Sequence, residues 1–359
     1  MSAISPGKEA RDSRAGARAQ ALGQTYSPVV YWAALGVIML AFQAWVFGSW
    51  VFGPHFVPTP TGPDPLPEWQ RIYFIVLQTV VPLAALACIW FWVVKPLRRD
   101  GKLGLDGMIA LSGATTFFWD MCMNYTSTAL LYNSHLVNFG SWTLGSWPGW
   151  TSPEGNLLPE PIIVTGTGYL ALVVTQAFVM CWILRKAKER WPSMGLLSCL
   201  ALIVVGITCI DSVLEMALVR SGVYAYPGGI RELTLFAGET YQFPLTEGFL
   251  FGGLAVGAMA ALWHFKDDKG LTMAERGIDR MRFGQTGKQW TRFFAIYGFI
   301  HTAFFVFYMI PNQWLSTHSD PFPVGYPSYM INNMCVYGDT HDQCPGPGIS
   351  MPRPANNPF

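Results

Sequence analysis

The sequence WDMCMNYTSTALLYNSHLVNFGSWTLGSWPGW, residues 119–150, is where a hydrophobic segment passes into a long polar loop. Asp120 and Asn124 lie four residues apart in this segment and would share one face of a helix. The loop that follows, residues 132–161, is rich in Trp, Asn, Gly and Pro and contains no Lys or Arg. This composition predicts a folded lid rather than a flexible spacer.

The composition of the whole chain is that of a membrane protein. Hydrophobic residues make up 51% and charged residues 13% of the 359 residues, and the mean hydropathy is positive. An ordinary soluble domain has about 25% charged residues. We therefore expect an integral membrane protein in contact with membrane lipid, with no nucleic-acid partner; the sequence indicates no particular protein partner.

Seven stretches are long and apolar enough to cross a bilayer. A hydrocarbon core about 30 Å thick needs about 20 helical residues. These stretches predict an all-α fold, a bundle of seven transmembrane helices, at Val29–Phe52, Gln70–Val94, Leu105–Leu131, Ile162–Leu184, Gly195–Leu218, Gln242–His264 and Arg292–Ile310.

The distribution of Lys and Arg predicts the orientation of the bundle. Clusters of basic residues precede the first span and follow the second, fourth and sixth spans, whereas the loops after the first and third spans contain none. The positive-inside rule therefore predicts a cytoplasmic amino terminus and an external carboxyl terminus. The first apolar run is too long for the core of a cleaved signal peptide, so we expect the first span to be retained.

The predicted membrane domain, residues 28–310, lies between two polar segments. Residues 1–27 are rich in Ala, Arg, Gly and Ser and predict a disordered cytoplasmic tail. Residues 311–359 are rich in Pro, Asn, Gly and Tyr and predict an ordered external strap, with simple disorder as the alternative. Cys335 and Cys344 lie in this segment, where an oxidising compartment would allow a disulfide bond.

Carboxyl groups within the predicted spans are the main functional signal, because an ionisable group at the bilayer centre costs about 2.5–3.5 kcal/mol. Asp120 lies in the third span, Asp211 and Glu215 share a face of the fifth, and Glu247 begins the sixth. At about 1.5 Å per residue, these spans bring the carboxyls to a similar level in the outer half of the membrane. No Lys or Arg balances them there, so some should be protonated at neutral pH and suited to acid catalysis. The structural alternative is a set of helix–helix hydrogen bonds.

We expect the side chains around these carboxyls to bind or orient a substrate. An aromatic pocket would stabilise a cation, although Trp also favours membrane interfaces. The expected substrate-binding residues are Trp119, Asn124, Tyr125, Asn133, Asn138, Trp142, Glu160, Tyr224 and His301. A buried, hydrogen-bonded structural histidine is the alternative for His301. The Cys and His residues show no metal-site spacing, so we expect neither a metal nor another cofactor.

Five motifs follow one another along the chain: the run at residues 119–150, PEP at 159–161, DSVLE at 211–215, the turn from Tyr224 to Tyr226, and PLTEG at 244–248. Their order resembles the AveC-type spirocyclase family of actinobacterial membrane proteins. The resemblance implies an enzyme of the bacterial cytoplasmic membrane that closes spiroketal rings on a lipophilic small-molecule substrate, a polyketide, with an added dehydration in some members.

Spiroketal closure also matches the chemistry of the residues. It needs proton transfers and the stabilisation of an oxocarbenium ion, which neighbouring carboxyl and carboxylate groups can provide. We expect the acid/base set to consist of Asp120, Asp211, Glu215 and Glu247, and the sequence does not distinguish which of them is the acid. Two alternatives stay open: a terpene-type membrane cyclase, and a non-catalytic protein that binds a lipophilic ligand or belongs to a larger complex.

Overall fold

The computed structural model describes residues 27–126, 128–150, 155–320 and 322–331. Within these residues the chain is almost entirely helical, with very short strands between some of the helices. The main helices, numbered in chain order, are α1 (Pro28–Val51), α2 (Glu68–Asp100), α3 (Leu105–Ala114), α4 (Ile162–Arg190), α5 (Leu196–Arg220), α6 (Leu245–His264) and α7 (Gln285–Thr317). A short helix, α8 (Ser328–Ile331), follows.

Six of the described helices, all except α3 and α8, are long and apolar enough to cross a membrane. Helices α1, α5 and α6 begin and end within three residues of the predicted bounds, whereas α2, α4 and α7 extend six or seven residues beyond them. The chain is therefore a helical membrane protein. The predicted count of seven spanning helices is not confirmed, and the difference lies in the third segment.

The third segment does not form the continuous helix predicted to reach Leu131. It is α-helical only over α3 and continues as a 3₁₀-helix from Thr116 to Asn124. The hydroxyl of Thr115 donates to the carbonyl of Ser112 at 2.9 Å, and the hydroxyl of Thr116 donates to that of Gly113 at 2.7 Å. Such side-chain bonds to the backbone compete with regular helix geometry, so the α-helix ends here.

Helix α3 lies in the middle of the bundle. It packs against α2, α4, α6 and α7, and Met108, Ile109 and Ala110 are completely buried. Helix α1 packs along α7, where Gly36 and Gly298 let the two backbones come close together. A Cβ atom at Gly36 would lie 2.0 Å from the carbonyl oxygen of Phe294, so a larger residue would force these helices apart.

Four helices contain a π-helical turn, a feature that is frequent at functional sites. In α2 the π turn spans Trp90–Val94. The others are Tyr169–Val174 in α4, Gly248–Val256 in α6 and Phe305–Met309 in α7. Each of these last three turns contributes an aromatic side chain to the cavity described below.

Two short antiparallel ribbons lie at the end of the bundle where α4 begins. Strand β1 (Leu131–Tyr132) pairs with β2 (Tyr224–Ala225), so that Tyr132 lies opposite Tyr224. Strand β3 (Thr234–Leu235) pairs with β4 (Phe243–Pro244). The β1–β2 ribbon joins the loop after α3 to the turn after α5.

The described part of the loop at residues 132–161 is folded against α1 and the 3₁₀ segment. The ring of Trp142 lies 4.9 Å from that of Phe47 and 5.4 Å from that of Trp50. Its indole nitrogen donates to the carbonyl of Phe118 at 3.0 Å. Trp142 therefore packs on α1 and the 3₁₀ segment, and among the described residues of the loop only Tyr132 lines the cavity.

Some predictions for the two ends of the chain fall outside the described residues. These are the disordered tail, most of the strap and the disulfide bond between Cys335 and Cys344, which stay predictions. The beginning of the proposed strap is described, and there α7 continues past residue 310 to Thr317. Pro311 does not end the helix because it occupies the first turn after the π turn, where a missing N–H group is tolerated.

Candidate functional site

A cavity lies between α4 and α5, close to the β1–β2 ribbon. The space not filled by atoms, including space open to solvent, is about 640 Å³. Three carboxyl groups line it: Asp120 from the 3₁₀ segment, and Asp211 and Glu215 from α5. No Lys, Arg or His belongs to the lining, which consists of described residues only.

Phenolic and hydrophobic side chains form most of the remaining wall. The phenols are Tyr132, Tyr169, Tyr224, Tyr226 and Tyr308. The larger hydrophobic residues are Leu130, Val164, Leu172, Val173, Leu214, Leu218, Val223 and Phe251. The π turns of α4, α6 and α7 carry Tyr169, Phe251 and Tyr308. The cavity thus combines proton-transferring groups with a predominantly apolar wall.

Asp120 accepts hydrogen bonds on both of its carboxyl oxygens. The hydroxyl of Tyr132 donates to Oδ2 at 3.0 Å, and the hydroxyl of Tyr169 donates to Oδ1. Hydrogen bonds from O–H donors stabilise a negative charge on a carboxyl group. This geometry suits Asp120 to act as a fixed anion beside the cavity.

Asp211 has a different environment. The side-chain amide of Gln176 donates to its Oδ1 at 2.9 Å. Its Oδ2 is buried and has no hydrogen-bond partner among the described residues. Gly252 of α6 makes room for this carboxyl group, because a Cβ atom there would lie 2.7 Å from Asp211 Cβ and 2.8 Å from Oδ2. One oxygen of Asp211, a residue of the cavity wall, is therefore left without a hydrogen-bond partner among the described residues.

Tyrosine hydroxyls also contact the other two predicted acid/base residues. Tyr226 donates to Glu215 Oε2 at 2.9 Å, and Tyr308 donates to Glu247 Oε2 at 2.7 Å. Glu247 itself does not line the cavity but a smaller pocket beside it, together with Asn312. Three of the four predicted carboxyls thus share one cavity, and the fourth, Glu247, accepts a hydrogen bond from Tyr308 of the cavity wall.

Among the predicted substrate-binding residues, only Tyr224 lines the cavity. His301 is buried, with its Nδ1 accepting from the indole nitrogen of Trp119 at 2.9 Å and its Nε2 3.0 Å from Thr115 Oγ1. An indole nitrogen can only donate, so the His301 proton lies on Nε2. Gln43 provides a further polar contact, 3.0 Å from Nδ1. His301 and Trp119 therefore connect helices and lie outside the cavity wall.

The three predicted asparagines bond to backbone groups. Asn124 Oδ1 accepts from the N–H of Leu130 at 3.0 Å, and Asn133 Nδ2 donates to the carbonyl of Gly222 at 3.0 Å. Asn138 donates to two carbonyls within the loop and accepts from two N–H groups. These amides fold the loop, as Trp142 does, and do not reach the cavity.

The two other predicted binding residues also lie outside the cavity wall. Tyr125 is half-buried, and its hydroxyl is 3.4 Å from the carbonyl of Gly149. Glu160 is completely buried just before α4, and its carboxyl oxygens make no hydrogen bond of ordinary length with the described residues. Burial, and next the charge of Asp120, raise the pKa of Glu160 well above its usual range. Burial therefore disfavours the charged form of Glu160.

The sequence reasoning did not include the side chains that donate to the carboxyls. Those donors are Tyr132, Tyr169, Tyr226, Tyr308 and Gln176. A signal for two of them exists in the fourth span, where Tyr169 and Gln176 are seven residues apart and so share a helical face. Tyr308 follows a run of Phe and Val residues, and nothing in that pattern distinguishes it from a lipid-facing aromatic residue.

A family model described as "Spirocyclase AveC-like" matches residues 98–331. The matched region includes every residue that lines the cavity, and all of the carboxyl groups described above lie inside it. No curated protein and no solved structure matched the chain. Because the family match covers well over half of the 359 residues, the chain belongs to the spirocyclase AveC-like family.

Proposed function

We propose that this protein is a membrane cyclase that closes a spiroketal-type ring on a lipophilic, polyketide-like dihydroxyketone. The observation that carries the proposal is the cavity that Asp120, Asp211 and Glu215 line together without a balancing Lys or Arg in its wall. Such a site offers proton donors and acceptors, and negative charge for a cationic intermediate. The family match supports ring closure as the reaction.

The proposed reaction converts the dihydroxyketone into a spiroketal and one water molecule. The first hydroxyl oxygen bonds to the carbonyl carbon and its proton passes to the carbonyl oxygen, which gives a hemiketal. Protonated Asp211 donates its proton from Oδ2 to the hemiketal hydroxyl, the C–O bond breaks, and water leaves an oxocarbenium ion. The second hydroxyl oxygen attacks the same carbon and returns its proton to Asp211, which restores the starting state.

Asp120 remains ionised in this scheme and stabilises the oxocarbenium ion. Its two tyrosine donors hold the carboxylate in place before the cation forms, and such preorganised charge is an effective source of catalysis. Glu215 and Glu247 position the hydroxyls of Tyr226 and Tyr308 at the cavity wall. They are therefore assigned as positioning residues rather than as the acid.

The test is to incubate the purified protein in lipid vesicles with alkyl-substituted dihydroxyketones and to follow water loss by mass spectrometry. We expect ring formation well above the protein-free background and one preferred configuration at the new spiro centre. A ligand that binds without losing water would instead identify a lipophilic-ligand binding protein. Conversion of an alkene or epoxide but no dihydroxyketone would favour a terpene-type cyclase.

For the topology we propose seven crossings of the bacterial cytoplasmic membrane, with the amino terminus inside. Helix α3 and the 3₁₀ segment have 10 and 9 residues and together extend about 33 Å at the usual rise per residue, enough for a crossing. A cysteine introduced at Phe52, which is 92% exposed after α1, should react with an impermeant reagent in intact cells. The unsubstituted protein serves as the blank. Labelling of the introduced cysteine only after cell lysis would indicate the opposite orientation.

A further inference from the structure

Helices α4 and α5 pack against each other along only part of their length. Their mutual contacts come from residues Thr175–Arg190 of α4, whereas residues 162–174 make few or none with α5. In this other half of the bundle, α5 packs on α6, and α4 packs on α2 and α3. The cavity lies in the gap between these two groups of helices.

Three leucines lie along the seam of this gap: Leu172 of α4, and Leu214 and Leu218 of α5. They are half-buried, whereas every other residue of the cavity lining is buried. Leu214 follows Val213, which is 67% exposed on the outer surface of the bundle. The three leucines therefore belong to the cavity wall and to the outer surface at the same time.

The outer surface at this level faces the acyl chains of the bilayer. At about 1.5 Å per residue, Leu172 lies about 15 Å from the beginning of α4, and Leu214 about 9 Å from the end of α5. Both helices are long and apolar enough to cross a membrane, and exposed side chains on α5, such as Val205 and Val213, are apolar. In a bilayer, the partly exposed leucines of the cavity wall would therefore face hydrocarbon rather than water.

We propose that the substrate enters the cavity sideways from the bilayer, between α4 and α5, past Leu172, Leu214 and Leu218. The inference rests on the proposed function in taking this cavity as the substrate site. This route also restricts the substrate to uncharged molecules that dissolve in the membrane, because moving a charged group into hydrocarbon is costly. An anionic substrate would in addition find no Lys, Arg or His in the cavity wall to pair with. At the ribbon end, by contrast, Tyr132 and Tyr224 are both buried.

Photolabelling tests the route without requiring turnover. The protein is placed in vesicles that contain an uncharged fatty alcohol carrying a diazirine near the end of its chain, and the adducts are mapped by mass spectrometry after irradiation. We expect adducts on residues inside the cavity, such as Tyr169 and Phe251, in addition to those on exposed residues such as Val213. Adducts confined to exposed residues would overturn the proposal.

Leu214→Trp fills the seam and should abolish the adducts inside the cavity while leaving those on the outer surface. The matched control is Val213→Trp, which adds the same ring one residue away on the lipid-facing side and should leave labelling unchanged. If Leu214→Trp does not fold, Leu172→Trp blocks the seam from the other helix. If a folded Leu214→Trp or Leu172→Trp variant is labelled inside the cavity as strongly as the unsubstituted protein, the lateral route is overturned.

Asp211→Asn separates this inference from the proposed function. The variant keeps the shape of the cavity and the seam, so internal labelling should persist although ring closure is lost. A protein that is labelled internally but converts no dihydroxyketone would contradict the proposed function and leave the lateral route supported.

Discussion

Gln176 on α4 donates its side-chain amide to Oδ1 of Asp211 on α5 at 2.9 Å. The second oxygen of Asp211 has no hydrogen-bond partner in the described part of the chain. Asp120, which also lines the cavity, accepts from a tyrosine hydroxyl on each oxygen. Different surroundings can give neighbouring carboxyls different protonation states and different roles, and in the proposed mechanism they distinguish a proton donor from a fixed anion.

Asp211→Asn should lower kcat for ring closure by about 10²–10⁴, the usual contribution of a general acid or base. The protein should stay folded, because an amide has nearly the same shape and its oxygen can still accept from Gln176. Asp106→Asn is the control: this carboxyl accepts from the indole nitrogen of Trp263 at 2.8 Å and does not line the cavity. Equal rates for Asp211→Asn and the unsubstituted protein would contradict the assigned role.

Tyr169→Phe should reduce kcat by about 10- to 100-fold, because a hydrogen bond to a charged group contributes about 1.5–3 kcal/mol and this one holds the Asp120 anion. Tyr224→Phe is the matched control. It removes a hydroxyl from the same cavity that is not among the donors to Asp120. Rate measurements that show equal losses in the two variants would indicate a general effect of the phenols instead of a specific one at Asp120.

Gly252→Ala should destabilise the protein and reduce its activity. The new methyl group would lie 2.7 Å from Asp211 Cβ, and overpacking of this kind typically costs about 1–3 kcal/mol. Gly48→Ala in α1 is the control, since a Cβ atom there has nothing within 4 Å. Thermal unfolding should therefore show a lower Tm only for Gly252→Ala. An unchanged Tm and rate in that variant would show that α5 and α6 have room to separate.

Glu160 should make stability depend on pH. Its pKa in the folded protein is raised by burial above the unfolded value of about 4.3, so the folded state binds the proton more tightly. Its contribution to stability is fully present below the unfolded pKa and declines as the pH rises toward the folded one. Glu160→Gln cannot ionise, so its Tm should fall less than that of the unsubstituted protein as the pH rises above the unfolded pKa of about 4.3. Parallel Tm curves would contradict a raised pKa of Glu160 in the folded protein.

Six of the seven helical segments could be located from the sequence, because apolar runs of the required length are uninterrupted there. The third segment is also apolar, but hydropathy does not report the hydroxyls of Thr115 and Thr116, whose backbone hydrogen bonds accompany the end of the α-helix. The sequence pattern predicts that Asn124 lies on a helical face and binds the substrate. Its side chain instead bonds to the backbone of Leu130 and shapes the turn that leads to β1.

The carboxyl groups of the site were more predictable than their partners. Asp211 and Glu215 share a helical face, and an acidic residue in an apolar span stands out. A tyrosine in the same position looks like any membrane aromatic residue, which is why Tyr169 and Tyr308 were not anticipated. The position of Tyr132 opposite Tyr224 depends on the register of a two-residue ribbon, which no local pattern specifies.

The most direct test of the account follows the ketone oxygen of the substrate. In the proposed mechanism this oxygen becomes the hemiketal hydroxyl and leaves as water, while both ring oxygens of the spiroketal come from the two hydroxyls. A dihydroxyketone with a heavy oxygen isotope in its carbonyl should therefore give an unlabelled spiroketal and labelled water, at a rate that Asp211→Asn sharply reduces. The isotope content of the recovered substrate shows how much of its carbonyl oxygen has exchanged with solvent. A spiroketal that retains the isotope, or none formed above the protein-free background, would contradict the account.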